Sequence, residues 1–288
     1  MRRRLKERLS ADLRQNELTN IYNSFDIVGD IAILKIDKHD STTAQVVAKQ
    51  VIAVHGSVKT VLAQRGPVAG AFRVRNLTLL AGENKTTTRH RESGCTFTVD
   101  VQKCYFSPRL SHERLRIARL VKKGEAVVNM FAGVGCFSIL IAKTAPESKV
   151  YSIDVNPSAV RFMVENVRIN RVYGKVIPIL GDSKEIISAQ LQHQADRVLM
   201  PLPERALDYL PYAVQALKPS GGWIHFYDFQ HAAGLEDPLE KTKRKVAKKL
   251  DSLSLRYSFE FSRVVRSIGP NWYQTVLDIS MDEAPSKF

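Results

Sequence analysis

The sequence predicts an α/β protein, a doubly wound and mainly parallel sheet preceded by a small α+β module. Three observations carry that reading. Strand-like and helix-like segments alternate regularly after residue 107, a glycine turn joins the first such strand to its helix, and the stretch before residue 106 breaks instead into short β-rich runs. Consecutive strands separated by whole helices cannot close as hairpins, so they pair in parallel through crossovers.

Residues 1 to about 22 read as a charge-dominated helix. From Asp26 to Phe106 the runs DIVGDIAILKI, VKTVLAQ and FRVRNLTLLAG are followed, after the turn-like Glu92-Ser93-Gly94, by TFTVDVQKCYF. Polar turns divide strands of this composition. Ser107 before Pro108 is an N-cap followed by proline at the first helical position, so a helix is expected through SHERLRIARLV. The domain junction is set there, giving modules 1–106 and 107–288. Beyond it come strands AVVNMF, KVYSIDV, KVIPIL, DRVLM and GGWIHFYDF, alternating with helices CFSILIAKTA, PSAVRFMVENVRIN, SKEIISAQL and ERALDYLPYAVQAL. A basic helix, LEKTKRKVAKKLDSL, leads to YSFEFSRVVRS and WYQTVLDISM, two strands joined by Ile268-Gly269-Pro270-Asn271 and expected to close the sheet as an antiparallel hairpin.

Composition narrows the function classes. Over 288 residues, 43 Lys and Arg against 29 Asp and Glu leave +14, and such a surplus suits a polyanionic partner because neutralised phosphates release counterions. Nucleic acid fits better than an acidic small molecule. No amphipathic anchor accompanies the charge, and the longest uncharged run, Ala126 to Ala142, contains Asn129, Gly133 and Gly135, so no membrane association is expected. Cys95, Cys104 and Cys136 lack ligand spacing, which predicts neither disulfides nor a metal site. The start, MRRRLKERLSADLRQ, has no apolar core for a secretory signal, and a cytoplasmic monomer is expected.

The turn FAGVGCFS lies where glycines let backbone approach a ligand, although a lone Gly133-x-Gly135 also serves ordinary tight connections. Asp154, at the end of the next strand, is spaced to accept both ribose hydroxyls, and Asp182, at the end of the third, to reach an adenine amino group. Either acid alone would pass for a helix cap. Together, on three consecutive strand ends, they describe an adenosyl site; the absent third glycine and the closing hairpin favour S-adenosylmethionine over NAD.

The motifs FSPRLSHER, VVNMFAGVGCFSI, YSIDVNPSAVRFMVENVRIN, PILGDS and DRVLMPLPE, taken in order, resemble the archaeal and eukaryotic family of tRNA guanine-37 N1-methyltransferases. The resemblance implies a Rossmann-like class I methyltransferase domain, S-adenosylmethionine as cofactor, and the tRNA anticodon stem-loop with guanosine 37 as partner. It makes Glu113 the general base and sets Arg114 against the cofactor. Arg73 becomes the arginine that stabilises guanine O6, and Phe131, Gly133, Gly135, Asp154, Val155, Asp182 and Ser183 fall at cofactor contacts. Members of the family often carry a further N-terminal domain; the short stretch before Asp26 suggests a shortened form. The residue-level alternatives are surface ion pairs for Glu113 and a basic strand face for Arg73 and Arg75.

These residue types suit the chemistry. Guanine N1 bears a proton and is a poor nucleophile until it leaves, so a carboxylate in a closed site takes the proton while an arginine offsets charge on O6. One departure stands out: where the family places Asn before Leu-Pro, this chain has Met200-Pro201-Leu202-Pro203, and proline supplies no side-chain donor or acceptor. Three other functions compete: the wybutosine-pathway aminocarboxypropyl transferases, a tRNA-binding protein without catalysis, and a nicotinamide oxidoreductase.

Overall fold

The computed structural model describes residues 25–35 and 41–282, which divide into two compact units between Ser111 and His112. The expected helix over residues 1–22 lies outside the described residues. In the first unit, β1 (Asp26–Val28), β2 (Ile31–Lys35), β3 (Thr60–Gln64) and β4 (Leu77–Gly82) form a sheet in that order. β2 and β3 are parallel, and between them runs α1 (Ser41–Val54). Val47, Ala48 and Val51 recur at helical spacing and bury against Ala32, Leu34, Val58 and Val61.

No helix is expected at α1 from the sequence, and β5 (Thr87–Glu92) is likewise unanticipated. β5 pairs antiparallel with β6 (Cys95–Asp100) across Ser93 and Gly94, both at positive φ, as a two-residue hairpin turn requires. The expected strand through FRVRN begins only at Leu77; residues 70–73 make a turn instead, with Arg73 N–H donating to the Gly70 carbonyl. Ser107 is extended and makes no side-chain cap. A single 3-10 turn, Pro108–Leu110, precedes α2 (Ser111–Leu120).

The second unit follows the predicted alternation closely. Its elements are β7 (Ala126–Asn129), α3 (Cys136–Thr144), β8 (Lys149–Asp154), α4 (Pro157–Ile169), β9 (Val176–Leu180), α5 (Ser183–Ile186) with a π turn at Ile187–Leu191, and β10 (Arg197–Met200). There follow α6 (Ala206–Ala216), β11 (Gly222–His231), α7 (Pro238–Asp251), β12 (Tyr257–Gly269) and β13 (Trp272–Met281). Caps fix several helix starts: Asn156 accepts from Ser158 N–H and Asp237 from Leu239 N–H, each before a proline.

The seven strands lie in the order β12-β13-β11-β10-β7-β8-β9. The five from β9 to β11 are parallel, and β13 inserts antiparallel between β11 and β12. The closing hairpin is present, with its second strand innermost. The strand order reverses direction at β7 and β10, so ligands are expected beyond the carboxyl ends of these central strands. One face of β11 and β13 buries Ile224, Phe226, Leu277 and Ile279 with Val246 and Leu250 of α7. None of the helices among the described residues is long and apolar enough to cross a membrane.

Candidate functional site

At the carboxyl end of β7 the chain turns through Phe131-Ala132-Gly133-Val134-Gly135 into α3. Gly133 and Gly135 both have positive φ, and a Cβ on Gly135 would lie 2.9 Å from the Met163 side chain. Asn129 braces the turn from beneath. It is fully buried, its amide donates to Ser138 Oγ at 3.1 Å, and its Oδ1 accepts from Phe131 N–H. Asn166 of α4 donates to the Val134 carbonyl at 3.0 Å, holding the turn from the side.

Asp154 ends β8 directly beside this turn. Its Oδ2 accepts from Gly133 N–H at 2.6 Å and its Oδ1 from Asn156 N–H at 2.9 Å, so the predicted glycine turn and acid meet. Burial pushes the Asp154 carboxyl above the usual range, and the two backbone donors only partly counter it. Each oxygen accepts one N–H and keeps a second lone pair for a diol. Val155 and Leu180 flank it as an exposed apolar shelf, 47% and 54% accessible; Leu180 was not anticipated from the sequence.

Asp182 caps α5, accepting from Lys184 N–H at 3.0 Å, and both its oxygens also accept from the Tyr209 hydroxyl at 2.9 and 3.0 Å. Burial, with the carboxylate's hydrogen bond second, pushes the Tyr209 phenol up to about 12, so it remains a donor. Ser183 is buried and donates its hydroxyl to the Met130 carbonyl, joining α5 to the end of β7. Phe131 packs edge-on against Tyr209, ring centroids 5.2 Å apart. Asp182, Ser183 and Phe131 are thus linked through Tyr209 and Met130. Tyr209, missed in the sequence, sits in a helix 27 residues beyond Asp182 with no local motif to mark it.

Glu113, in the first turn of α2, is buried rather than placed in a surface ion pair. Its carboxylate accepts from the Tyr227 hydroxyl at 2.7 Å, from Arg263 Nη2 at 2.6 Å, and from Arg116 Nε and Nη2 at 3.1 and 2.8 Å. Arg116 also pairs with Asp278, which is 2.6 Å from Nδ1 of the fully buried His225. Nε2 of His225 lies 2.7 Å from Arg197 Nη1, and a guanidinium only donates. His225 is therefore a neutral ring with its proton on Nδ1, in agreement with burial pushing its pKa down. For Asp278 burial acts upward, but the hydrogen bonds from His225 and Arg116 prevail and hold its carboxyl well below the usual range. Beside this network a cavity of about 370 Å3, lined in part by Trp223, Phe261 and Arg197, lies toward the amino ends of β10 and β11, away from the glycine turn.

Arg114 is buried in α2. Arg73 belongs to the first unit, at a left-handed turn, with its guanidinium 4.7 Å from the Tyr105 ring centre. Arg75 is buried and donates to the Phe106 carbonyl, so the two arginines do not form one strand face. The three cysteines are buried, and no group of three metal-ligating side chains occurs among the described residues.

The profile of the TRM5/TYW2 methyltransferase domain matches residues 88–254, and that of the TYW2 N-terminal domain matches residues 5–86. Among curated proteins, tRNA (guanine(37)-N(1))-methyltransferase Trm5b of Pyrococcus abyssi is 38% identical over 255 residues, covering 88% of this chain and 74% of that protein. tRNA 4-demethylwyosine(37)-methyltransferase Taw21 of Saccharolobus solfataricus is 37% identical over 268 residues, covering 92% of this chain and 97% of its own. Among solved structures, the complex of aTrm5 with tRNALeu superposes with a TM-score of 0.84 at 34% identity, covering 98% of this chain and 79% of that one. Pyrococcus horikoshii TYW2 in complex with MeSAdo superposes at 0.79 with 26% identity, covering 99% and 100%. The expected class I fold and adenosyl cofactor agree with these neighbours.

Proposed function

Because the chain belongs to the TRM5/TYW2 methyltransferase family, we propose that it transfers the methyl group of S-adenosylmethionine to N1 of guanosine 37 in tRNA. The observation that carries this reading is the joined glycine turn and acid, Gly133 on Asp154, in a chain whose 38% identical relative is named for that methylation. The TYW2 neighbour is more distant, at 26%. The residues present fit the cofactor. Asp154 has lone pairs left for two ribose hydroxyls, Val155 and Leu180 offer the adenine an apolar shelf, and Asp182 and Phe131 close its rim. Gly135 keeps the backbone open, Ser183 fixes the rim to β7, and Arg114 lies on the helix that carries Glu113.

S-adenosylmethionine supplies an electrophilic methyl on a sulfonium, so the protein's own task is to free N1 of its proton. Glu113 takes that proton as the N1–CH3 bond forms, leaving S-adenosylhomocysteine and a neutral carboxyl. Of its donors, Arg263 is the most exposed, with 36% of its side chain accessible, and is the one that can give way to the base. Arg116 and Tyr227 keep the carboxylate aligned meanwhile. Arg73 offsets the charge that gathers on O6.

A specific observation favours a second substrate. The Taw21 relative is 37% identical over 92% of this chain, and Pro201 stands where an amide is expected. The second reading is methylation of 4-demethylwyosine at the same position. Purified protein incubated with S-adenosylmethionine labelled in the methyl or the carboxyl carbon tests both. Methyl label entering tRNA with guanosine 37, and not tRNA with adenosine 37, supports the first; methyl label only in tRNA bearing 4-demethylwyosine supports the second. Carboxyl label in tRNA overturns methyl transfer altogether.

A further inference from the structure

The β10–β11 pairing stops at Met200 and Phe226, whereas β11 and β13 stay paired to His231 and Trp272. β11 therefore runs five residues beyond its parallel neighbour, about 16 Å at strand rise. With β13 and β12 it makes a ribbon standing on the same sheet edge as Gly133, Asp154 and Asp182.

Residues two apart on a strand share a face, so Tyr227, Phe229 and His231 line one side of this ribbon. That side is identified by contact: Tyr227 donates to Glu113 and Asp278 pairs with Arg116, both on α2. Trp272 lies directly opposite His231 in the register and six residues from Asp278, hence on the same side. The row begins at the carboxylate of Glu113 and ends about 13 Å further out at a tryptophan.

Its outer end is exposed and held firmly. Trp272 is 45% accessible, Ile268 beside it 37%, and the His231 and Trp272 rings meet edge to face at 5.3 Å. The Asn271 carbonyl accepts from Ala232 N–H at 2.9 Å, tying the turn to the end of β11. Arg263 and Arg266 lie on the adjoining strand of the ribbon, and the chain as a whole is strongly basic. An exposed aromatic on a braced scaffold amid positive charge is what unstacked nucleotides require: a π-face for the base and cations for the backbone.

We infer that Trp272 and His231 form a stacking platform for a single-stranded nucleotide adjoining the one that is modified. The inference rests on the reading of tRNA as substrate. Trp272→Ala raises the KM for tRNA, and the Kd for an anticodon stem-loop, roughly 5- to 150-fold, the range for losing one base–aromatic stack. Affinity for S-adenosylmethionine stays at the wild-type value, and Trp272→Phe restores most of the binding.

The chain has two tryptophans, so Trp223→Phe leaves Trp272 as sole reporter. Its fluorescence is quenched on saturation with the stem-loop and not with a blunt RNA duplex. Wild-type KM in Trp272→Ala, with active enzyme, overturns the platform while leaving the tRNA reading intact. Failure of the wild-type protein to bind or modify any tRNA overturns both. A changed oligomeric state in Trp272→Ala with unaltered RNA binding overturns the platform in favour of a protein interface.

Discussion

Asp154 holds the glycine turn through Gly133 N–H, and in the proposed site the lone pairs this leaves take the ribose. Replacing it with alanine removes a charge-assisted acceptor for two hydroxyls, worth about 1.5–3 kcal/mol each at most. Calorimetry on Asp154→Ala is expected to show S-adenosylmethionine affinity lowered at least tenfold, whereas wild-type affinity would remove Asp154 from the ribose site. Glu113→Gln is expected to slow single-turnover methyl transfer about 10²- to 10⁴-fold with cofactor binding nearly intact. Tyr227→Phe, which removes one 2.7 Å hydrogen bond to the same carboxylate, is expected to slow it far less. Equal losses in the two variants would recast Glu113 as a structural anchor.

Among the elements, those of the second unit were legible because their signals are local: glycine turn, capping Asn156 and Asp237, and apolar runs of strand length. The first unit was less so. In α1 the Thr and Val content reads as strand, and the helical spacing of Val47, Ala48 and Val51 prevails only because that stripe has a sheet to cover. β5, TTRHRE, is too polar to announce a strand; its partner β6 supplies the buried face.

The site divides in the same way. Gly133 and Asp154 are linked by consecutive elements; Glu113 has one local partner, Arg116 a helical turn on, but its other two, Tyr227 and Arg263, lie 114 and 150 residues away, beyond any sequence pattern. Gly135 gives an element-scale prediction. At φ +90 with Met163 close by, Gly135→Ala is expected to cost about 1–3 kcal/mol, read as a lower denaturation midpoint at unchanged m-value.

At the scale of the whole molecule, charge governs behaviour in two directions. His225 titrates near 6.5 when unfolded and lower when folded, so the unfolded chain binds the extra proton first. Its contribution to stability is complete above that value and is lost as pH falls below it; Asp278, held low, adds a second loss beneath its ordinary 3.8. Thermal unfolding is expected to show a falling Tm from pH 6.5 downward, and a flatter profile in His225→Gln between 6.5 and 5. The net +14 predicts that tRNA affinity declines steeply with salt, by about 10³ between 50 and 200 mM for six phosphate contacts.

Asp154 and Glu113 are proposed to serve one methyl transfer to a guanine ring nitrogen. Nucleoside mass spectrometry of a fully G37-containing tRNA transcript, after incubation with enzyme and S-adenosylmethionine, measures it directly. 1-Methylguanosine is expected at position 37, formed in step with S-adenosylhomocysteine and abolished by Glu113→Gln. An unmodified guanosine 37, with methylation found instead at another nucleoside, contradicts the proposal.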